Sequence, residues 1–312
     1  MTVQDTWDSE YHAPALVGQV TELLGGATLV LDGTLGGGGH SAALLDAGVA
    51  RVIGIDRDDD ALATATARLT SAGERFAAYK GNYANLAAIP ELNGLRFSGI
   101  VLDLGISSHQ IDDASRGFSF REGAPLDMRM GSDALRSAAD LLNEADEEEL
   151  TRVFREFGDE PRGGKLAREV IRRRETRPFV TSDDLVGAIR AVFGKRSGAP
   201  EFARLFQAVR IAVNDELAGI ERALPDLRNR LAPGGRLAVI AYHSGEDRIV
   251  KHAFRAWSED CICPPRHPMC TCGRGHSMGE VVTRRALVAD AEEITHNPRS
   301  RSARLRAWQR AQ

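Results

Sequence analysis

The chain has 312 residues, of which 43% are hydrophobic, and a formal net charge of -4 at pH 7. This size and apolar content allow a substantial core, in one large domain or in a domain that carries an insertion. They exclude an integral membrane protein, because no apolar run approaches the roughly 20 residues of a membrane-spanning helix. The N-terminal run also lacks the basic-then-apolar order of a signal peptide, so we expect a cytoplasmic protein with no membrane partner.

Short β-rich runs alternate with helical stretches along the chain. The predicted strands are 28–32, 51–56, 75–79, 99–104 and 235–242. The first, second and fourth are nearly all apolar up to an Asp, as expected of parallel strands that are buried on both faces. The pattern predicts a doubly wound α/β sheet that binds ligands at the carboxyl ends of its strands.

The connection between the fourth and fifth predicted strands is far longer than the roughly 30 residues of a strand–helix–strand unit. Its predicted helices are 147–157, 164–175, 182–193 and 201–224, and Ser182 is placed to cap the third. The sequence therefore predicts a helical subdomain at 112–208. The segments 1–111 and 209–312 then form the remaining, discontinuous domain.

Charge is segregated along the chain. Acidic residues are concentrated between 140 and 149, whereas two stretches are basic. The basic residues are Arg162, Lys165, Arg168, Arg172, Arg173, Arg174 and Arg177 in the first stretch, and Arg299, Arg301, Arg304, Arg306 and Arg310 in the second. Such stretches are typical of solvated helix faces or of surfaces that bind polyanions. Two of them in one acidic chain favour a polyanionic partner.

A glycine-rich loop follows the first predicted strand, in the run DGTLGGGGHS from Asp32 to Ser41. Glycines let the backbone pass close to a ligand. The loop lacks the third glycine of G-x-G-x-x-G and the Gly-Lys-Ser/Thr of a Walker loop. It favours a cofactor without pyrophosphate, such as S-adenosylmethionine, whose cationic groups suit the carboxylates of Asp32 and Asp103. Asp56, at the end of the second strand, is placed to bind ribose hydroxyls or to cap a helix.

Several longer runs carry a specific resemblance. They are LDLGISSHQ (102–110), RGFSF (116–120), PLDMRM (125–130), FQAVRIAVN (206–214), LAPGGRL (231–237), HS (243–244), EDRIVK (246–251) and NPRSRSA (297–303). In order from Tyr11 to Arg306, and with the glycine loop, they closely resemble the bacterial 16S ribosomal RNA cytosine-N4 methyltransferase family, called RsmH or MraW. Gly37 and Gly245 stand where larger residues are common in that family, and neither departure removes a functional group.

The resemblance implies a Rossmann-like S-adenosylmethionine-dependent methyltransferase sheet, with the helical subdomain between its fourth and fifth strands recognising substrate. The implied reaction is methylation of the exocyclic N4 of a cytosine at the decoding centre, with 16S ribosomal RNA in the small ribosomal subunit as partner. The cofactor positions that it implies are Gly38, Gly39, His40, Asp56, Tyr83, Asp103 and Gln110.

The chemistry calls for a hydrogen-bond acceptor, because the N4 of cytosine is conjugated with the ring and is a poor nucleophile. Asp103 is the main candidate, with a purely cofactor-holding role as the alternative; Ser107 and Ser108 are further candidates. His243 is placed to accept a proton or merely to fix a loop. Gln207, Arg210 and Asn214 share one helix face, which either lines the cytosine pocket or is solvated.

All four cysteines, Cys261, Cys263, Cys270 and Cys272, fall within twelve residues. Disulfides are not expected in a reducing cytoplasm. Four thiolates can bind one zinc ion, although the spacing is not that of the usual zinc ribbons. The cluster is therefore either a structural zinc site or a set of reduced thiols in a surface loop.

Two other classes of protein compete with a methyltransferase. A nicotinamide oxidoreductase would need the G-x-G-x-x-G loop, which is absent. An RNA-binding ribosome-assembly factor could use the sheet only as a scaffold, but it would not need the cofactor residues Gly38, Asp56 and Asp103. The oligomeric state does not follow from the sequence.

Overall fold

The structure is a computed structural model that describes residues 14–264 and 269–312. The N-terminal run that lacks a signal peptide, and Tyr11 at the start of the resemblance, lie outside the described residues, as do Pro265–Pro268 in the cysteine segment. Contacts divide the chain into two compact units. The first comprises Met1–Gly105 with Leu217–Gln312, and the second is Ile106–Glu216.

A seven-stranded sheet forms the centre of the first unit, in the order β3-β2-β1-β4-β5-β7-β6. The strands are β1 (Leu29–Asp32), β2 (Arg51–Asp56), β3 (Phe76–Lys80), β4 (Phe97–Asp103), β5 (Leu231–Ala241), β6 (Gly279–Val281) and β7 (Arg304–Arg310). Strands β1 to β5 pair in parallel, and β7 is antiparallel to both β5 and β6. The predicted doubly wound α/β sheet is confirmed.

The C-terminal basic stretch forms part of this sheet, which the sequence analysis did not predict. Leu305, Ala307 and Trp308 of β7 are fully buried. Arg306 donates to both carboxylate oxygens of Asp247, at 2.6 and 3.0 Å. Because these side chains hold β7 in place, much of this stretch stabilises the fold.

Helices of the first unit cover both faces of its sheet. The α-helices are α1 (Val17–Leu24), α2 (Gly39–Asp46), α3 (Asp59–Arg68), α4 (Ser108–Asp112), α5 (Ala138–Glu144), α6 (Glu147–Arg152), α7 (Gly163–Arg174), α8 (Ser182–Phe193), α9 (Ala199–Asn214), α10 (Glu216–Arg230), α11 (Ser244–Ser258) and α12 (Ala291–His296). Val30 of β1 packs in one core cluster with side chains from α1 and α2. Its neighbour Leu31 packs in another with side chains from α10 and α11. This alternation is the period-2 geometry of a strand that is buried on both faces.

Helices α4 to α9 build the second unit around its own core, which includes Phe154, Leu166, Leu185, Leu205 and Val209. A π-helical turn, Val153–Phe157, extends α6. Among the described residues, no helix has both the length and the apolar character needed to cross a membrane.

Two helix predictions were wrong in detail. The helix predicted at 201–224 is broken at Asp215, whose φ of 52° is left-handed and ends α9. The break coincides with the end of the second unit, so α9 and α10 serve different cores. The cap of α8 is Thr181, which forms a capping box with Asp184, whereas the hydroxyl of Ser182 donates to the carbonyl of Arg121.

Candidate active site

The glycine loop joins β1 to α2 and needs glycine at specific positions. Gly36 and Gly38 have φ values of +51° and +76°, in the left-handed region that other residues rarely adopt. A Cβ atom on Gly38 would also lie 3.2 Å from the Cβ of Ala65. The fold therefore requires at least these two of the glycines in the run, whatever the loop binds.

Asp56 ties this loop to the end of β2. Its Oδ2 accepts the backbone N–H of Gly36 at 2.8 Å, and its Oδ1 accepts that of Asp58 at 3.0 Å. Burial raises the pKa of the Asp56 carboxyl to about 6, and the two backbone N–H groups oppose that shift. Since each carboxylate oxygen has two acceptor lone pairs, both oxygens keep capacity for a ligand hydroxyl.

Asp103 ends β4 next to the same loop. Its backbone N–H donates to Oγ1 of Thr34 at 2.6 Å, and the residue as a whole is 8% exposed. Within the described residues, Oδ1 of Asp103 is buried without a hydrogen-bond partner. A buried carboxylate oxygen is costly to leave unpaired, so this atom points to a ligand.

Tyr242 and His40 lie beside the carboxylate of Asp103. The Tyr242 phenol faces Asp103, and burial, together with the charge of the Asp103 carboxylate, raises the Tyr242 pKa well above its usual value. Nε2 of His40 donates to the carbonyl of Ala15 at 2.9 Å, and Nδ1 lies 3.8 Å from Oδ2 of Asp103. Because a carbonyl only accepts, the proton of neutral His40 is on Nε2.

The sequence analysis placed Tyr242 at the end of a strand but gave it no role. Gly105 makes room for the ring, since a Cβ atom there would lie 2.7 Å from Cε2 of Tyr242. The signal available in the sequence was the position of Tyr242 at the carboxyl end of a predicted parallel strand, where Asp32, Asp56 and Asp103 were all selected.

Asp32 and Tyr83 lie beside the start of the glycine loop. The carboxylate of Asp32 is buried and accepts from the Ser41 hydroxyl at 2.7 Å, and burial raises its pKa. A Cβ atom on Gly33 would lie 3.5 Å from that of Tyr83, which begins the 3₁₀ turn after β3. The structure thus brings Gly38, Gly39, His40, Asp56, Tyr83 and Asp103 to one edge of the sheet in the first unit.

His243 follows β5 and caps α11. Its Nδ1 accepts the backbone N–H of Gly245 at 3.2 Å, and its Nε2 lies 3.2 Å from Oε1 of Glu246 but is buried without a hydrogen-bond partner among the described residues. The carboxylate of Glu246 in turn accepts the backbone N–H groups of Tyr242 and His243. Because one ring nitrogen is used as a cap and the other faces Glu246, this geometry favours the loop-fixing role over proton acceptance.

Ser107 and Gln110 belong to the second unit, where they cap α4. The Ser107 hydroxyl accepts the backbone N–H of Gln110, and Oε1 of Gln110 accepts that of Ser107, both at 3.1 Å. This reciprocal pair is a capping box, and its S-x-x-Q signature was visible in the sequence. The side chain of Ser108 lies outside the described residues.

Asn214, the last residue of α9, is buried and holds a loop of its own unit. Its Nδ2 donates to the carbonyl of Met128 at 2.7 Å, and its Oδ1 accepts the N–H of Met130 at 2.8 Å. Met128 has a left-handed φ of 61°, which costs free energy in a residue other than glycine. The side chain of Asn214 therefore fixes a strained turn.

Arg210 and Gln207, the other two polar residues on that face of α9, differ from Asn214 in their contacts and burial. Arg210 donates two hydrogen bonds to the carboxylate of Glu216, at 2.8 and 2.9 Å, and both side chains are mostly buried. Gln207 is half-buried. The face is thus not simply solvated, since Arg210 and Asn214 stabilise the end of α9.

The first basic stretch is largely engaged within the second unit. Arg172 and Arg173 both pair with Glu169, and the hydrogen bond from Arg172 is the main cause that lowers the Glu169 pKa to about 2. Arg174 donates to the carbonyls of Leu142 and Ala145. Arg174 is therefore a structural residue, whereas Lys165 is exposed on α7 and available to a partner.

The first unit has a Rossmann-like α/β fold, with the glycine loop and the acidic strand ends at one edge of its sheet. The model of the MraW methylase family matches residues 9–311, and the chain belongs to this family.

Individual relatives agree with this assignment. The small-subunit ribosomal RNA methyltransferase H of Gemmatimonas aurantiaca is 60% identical over 304 residues, which cover 96% of each chain. The protein with the same name from Heliobacterium modesticaldum is 45% identical, over 95% of this chain and 97% of its own. A solved rRNA methylase from Streptococcus thermophilus aligns over 95% of this chain and 94% of its own, at 11% identity and a TM-score of 0.42, too weak a likeness to bear on function.

Proposed function

We propose that this protein transfers a methyl group from S-adenosylmethionine to the exocyclic N4 of a cytosine in 16S ribosomal RNA, at the decoding centre of the small subunit. The relatives that are named small-subunit ribosomal RNA methyltransferase H support the RNA substrate. The observation that carries the chemistry is the buried carboxylate of Asp103, which the Tyr242 phenol faces and whose Oδ1 has no partner among the described residues.

The edge of the sheet fits S-adenosylmethionine. Asp56 retains acceptor capacity for ribose hydroxyls, and the carboxylates of Asp32 and Asp103 suit the cationic ammonium and sulfonium groups. We propose that Tyr83 packs against the adenine ring. We assign cofactor binding to Gly38, Gly39, His40, Asp56, Tyr83, Asp103 and Gln110. When bound, the cofactor supplies an electrophilic methyl group.

Asp103 is the proposed acceptor for the N4 hydrogens. A positioned carboxylate stabilises the positive charge that develops on nitrogen, and it does so best where its orientation is fixed and water is excluded. Tyr242 is the residue that we propose provides that orientation. A purely cofactor-holding role, in which Oδ1 accepts from the ammonium group, is the alternative that the variants below distinguish.

The remaining catalytic candidates receive positioning roles. Ser107 already accepts a hydrogen bond as the cap of α4, and Asn214 uses both ends of its amide to fix the turn at Met128. His243 caps α11 through Nδ1. We therefore propose that each of these three residues fixes a loop or helix end of its own unit, while Asp103 contacts the reacting groups.

The second unit, which contains the predicted insertion 112–208, is proposed to recognise the RNA. A cytosine in folded RNA must be unstacked before its N4 can react. The exposed side chains of Lys165, Arg172 and Arg177 offer phosphate contacts, although Arg172 and Arg177 each have an acidic partner. A phosphate contact by these two arginines would have to compete with Glu169 and Asp184.

The proposal is tested by methylating small ribosomal subunits from cells that lack the protein. The purified protein is incubated with the subunits and methyl-labelled S-adenosylmethionine, and the RNA is digested to nucleosides and mapped. Label is expected in N4-methylcytidine at a single position of 16S ribosomal RNA. Label in another nucleoside would contradict the proposed chemistry. Unchanged RNA binding without any label would support an assembly factor instead.

A further inference from the structure

A cluster of four thiols lies between α11 and β6, in a part of the chain that the proposed reaction does not use. Its members are Cys261, Cys263, Cys270 and Cys272, which are the only cysteines of the full chain. Their sulfur atoms all lie within 4.8 Å of one another. Two Cys-x-Cys pairs that are nine residues apart thus converge on one point.

The distances between the sulfur atoms match the edges of a metal-centred tetrahedron. With a zinc–sulfur distance of about 2.3 Å, the edge of a regular tetrathiolate site is about 3.8 Å. The Sγ atom of Cys270 lies 3.5 Å from those of Cys261 and Cys272 and 4.0 Å from that of Cys263. The sulfurs of Cys272 and Cys261 are 3.7 Å apart. These separations are much longer than the roughly 2.05 Å of a disulfide bond.

Backbone N–H groups surround the sulfurs, as they do around thiolates that bind a metal. The N–H of Thr271 donates to the sulfur of Cys263 at 3.2 Å. Backbone N–H groups of Ile262 and Arg274 lie near the sulfur of Cys272. Such hydrogen bonds orient thiolate ligands and offset part of their negative charge.

The segment that carries the cluster has little else to hold it. Helix α11 ends at Ser258 and β6 begins at Gly279, and the described residues between them form neither helix nor strand. None of these described residues is buried, and Ile262 and Met269 are strongly exposed. A bound metal would add conformational order to a segment that has no apolar core of its own.

We propose that Cys261, Cys263, Cys270 and Cys272 bind one structural zinc ion, which fixes the segment between α11 and β6. The four-thiolate site leaves no coordination position for water, so the ion stabilises structure and takes no part in methyl transfer. The segment ends where the N–H of Met278 donates to the carbonyl of Trp257, directly before β6.

The metal content of the purified full-length protein, prepared in reducing buffer without a histidine tag, tests this proposal. Inductively coupled plasma mass spectrometry should find about one zinc ion per chain. The double variant C261S/C270S should lose zinc by at least about tenfold. The variant S277A, in the same segment but outside the cluster, should keep it.

A second measurement on the wild-type chain guards against misfolding of the variant. After removal of the metal by a chelator, all four thiols should react with a thiol reagent, and one equivalent of Zn²⁺ should protect them. Co²⁺ should give the ligand-field absorption of a tetrahedral thiolate site, which Zn²⁺ then abolishes. The proposal would be overturned if the four reduced thiols bound neither ion. It would also be overturned if the purified protein held iron in place of zinc, or if the double variant retained zinc.

Discussion

The Tyr242 phenol faces the carboxylate of Asp103; Tyr242 directly follows β5, and Asp103 ends the neighbouring strand β4. Tyr242 thereby positions the proposed acceptor. The phenol restrains the carboxylate, while Oδ1 of Asp103 has no partner among the described residues. The two residues are far apart in sequence and come together because β4 and β5 pair in parallel.

Replacing Tyr242 by Phe should slow methyl transfer. A hydrogen bond to a charged group contributes about 1.5–3 kcal/mol, which corresponds to a decrease of roughly 10- to 100-fold in single-turnover rate if the bond persists in the transition state. The affinity for S-adenosylmethionine should change much less. The matched control is Tyr79→Phe on β3, which should react at the wild-type rate; a wild-type rate for Tyr242→Phe would remove this residue from the mechanism.

The affinity for S-adenosylmethionine should increase as the pH rises through about 6. Burial raises the pKa of Asp56 to about 6, and only the deprotonated carboxylate can accept ribose hydroxyls in addition to its two backbone N–H groups. We expect about a tenfold tighter dissociation constant at pH 7 than at pH 5, measured by calorimetry. In Asp56→Asn this dependence should flatten.

The stability of the protein provides a control with the opposite sign. A carboxyl whose folded pKa is raised contributes stability that is present below its unfolded pKa of about 4 and is lost as the pH rises through about 6. The contribution of Asp56 to the unfolding free energy therefore falls over the range where cofactor affinity rises. If affinity and stability instead changed together in wild type and not in Asp56→Asn, the pH effect would reflect folding.

Asn214→Ala should destabilise the second unit. The substitution leaves the N–H of Met130 and the carbonyl of Met128 without their amide partner and releases a strained turn, at a cost of about 2–4 kcal/mol. Hydrogen exchange of residues 126–131 should accelerate. Gln207→Ala, on the same helix face, should leave exchange unchanged. Unaltered exchange in Asn214→Ala, combined with a raised Michaelis constant for RNA, would return Asn214 to the cytosine pocket.

The residues of the first basic stretch should separate into two groups. Arg174→Ala removes the donor to two carbonyls near the end of α5 and should lower stability by about 1–3 kcal/mol, with the salt dependence of RNA binding unchanged. Lys165→Ala, at an exposed position, should reduce the salt slope by about one and leave stability unchanged. If Arg174→Ala reduced the salt slope and Lys165→Ala lowered stability, Arg174 would be the phosphate contact and Lys165 the structural residue.

The sequence was informative about the sheet because runs such as 51–56 are apolar, short and followed by Asp. It was uninformative about β7, where alternation of arginines with Leu305 and Ala307 looked like a basic tail. The break at Asp215 could not be read from the helical stripe, since it depends on the division between two cores. The capping pair Ser107 and Gln110 had a visible signature, whereas the roles of Tyr242 and Asn214 depend on contacts that are distant in sequence.

The most direct test of the central claim is single-turnover methyl transfer by Asp103→Asn at saturating S-adenosylmethionine, alongside the dissociation constant of the same variant. The amide keeps the size of the side chain and can still accept from Tyr242, but it lacks the charge that stabilises a developing ammonium. We predict that the rate falls much more than the cofactor affinity, because an interaction made mainly in the transition state affects the chemical step. A rate within about threefold of wild type, roughly 0.7 kcal/mol in the barrier, with a weakened dissociation constant would contradict the account and assign Asp103 to cofactor binding alone.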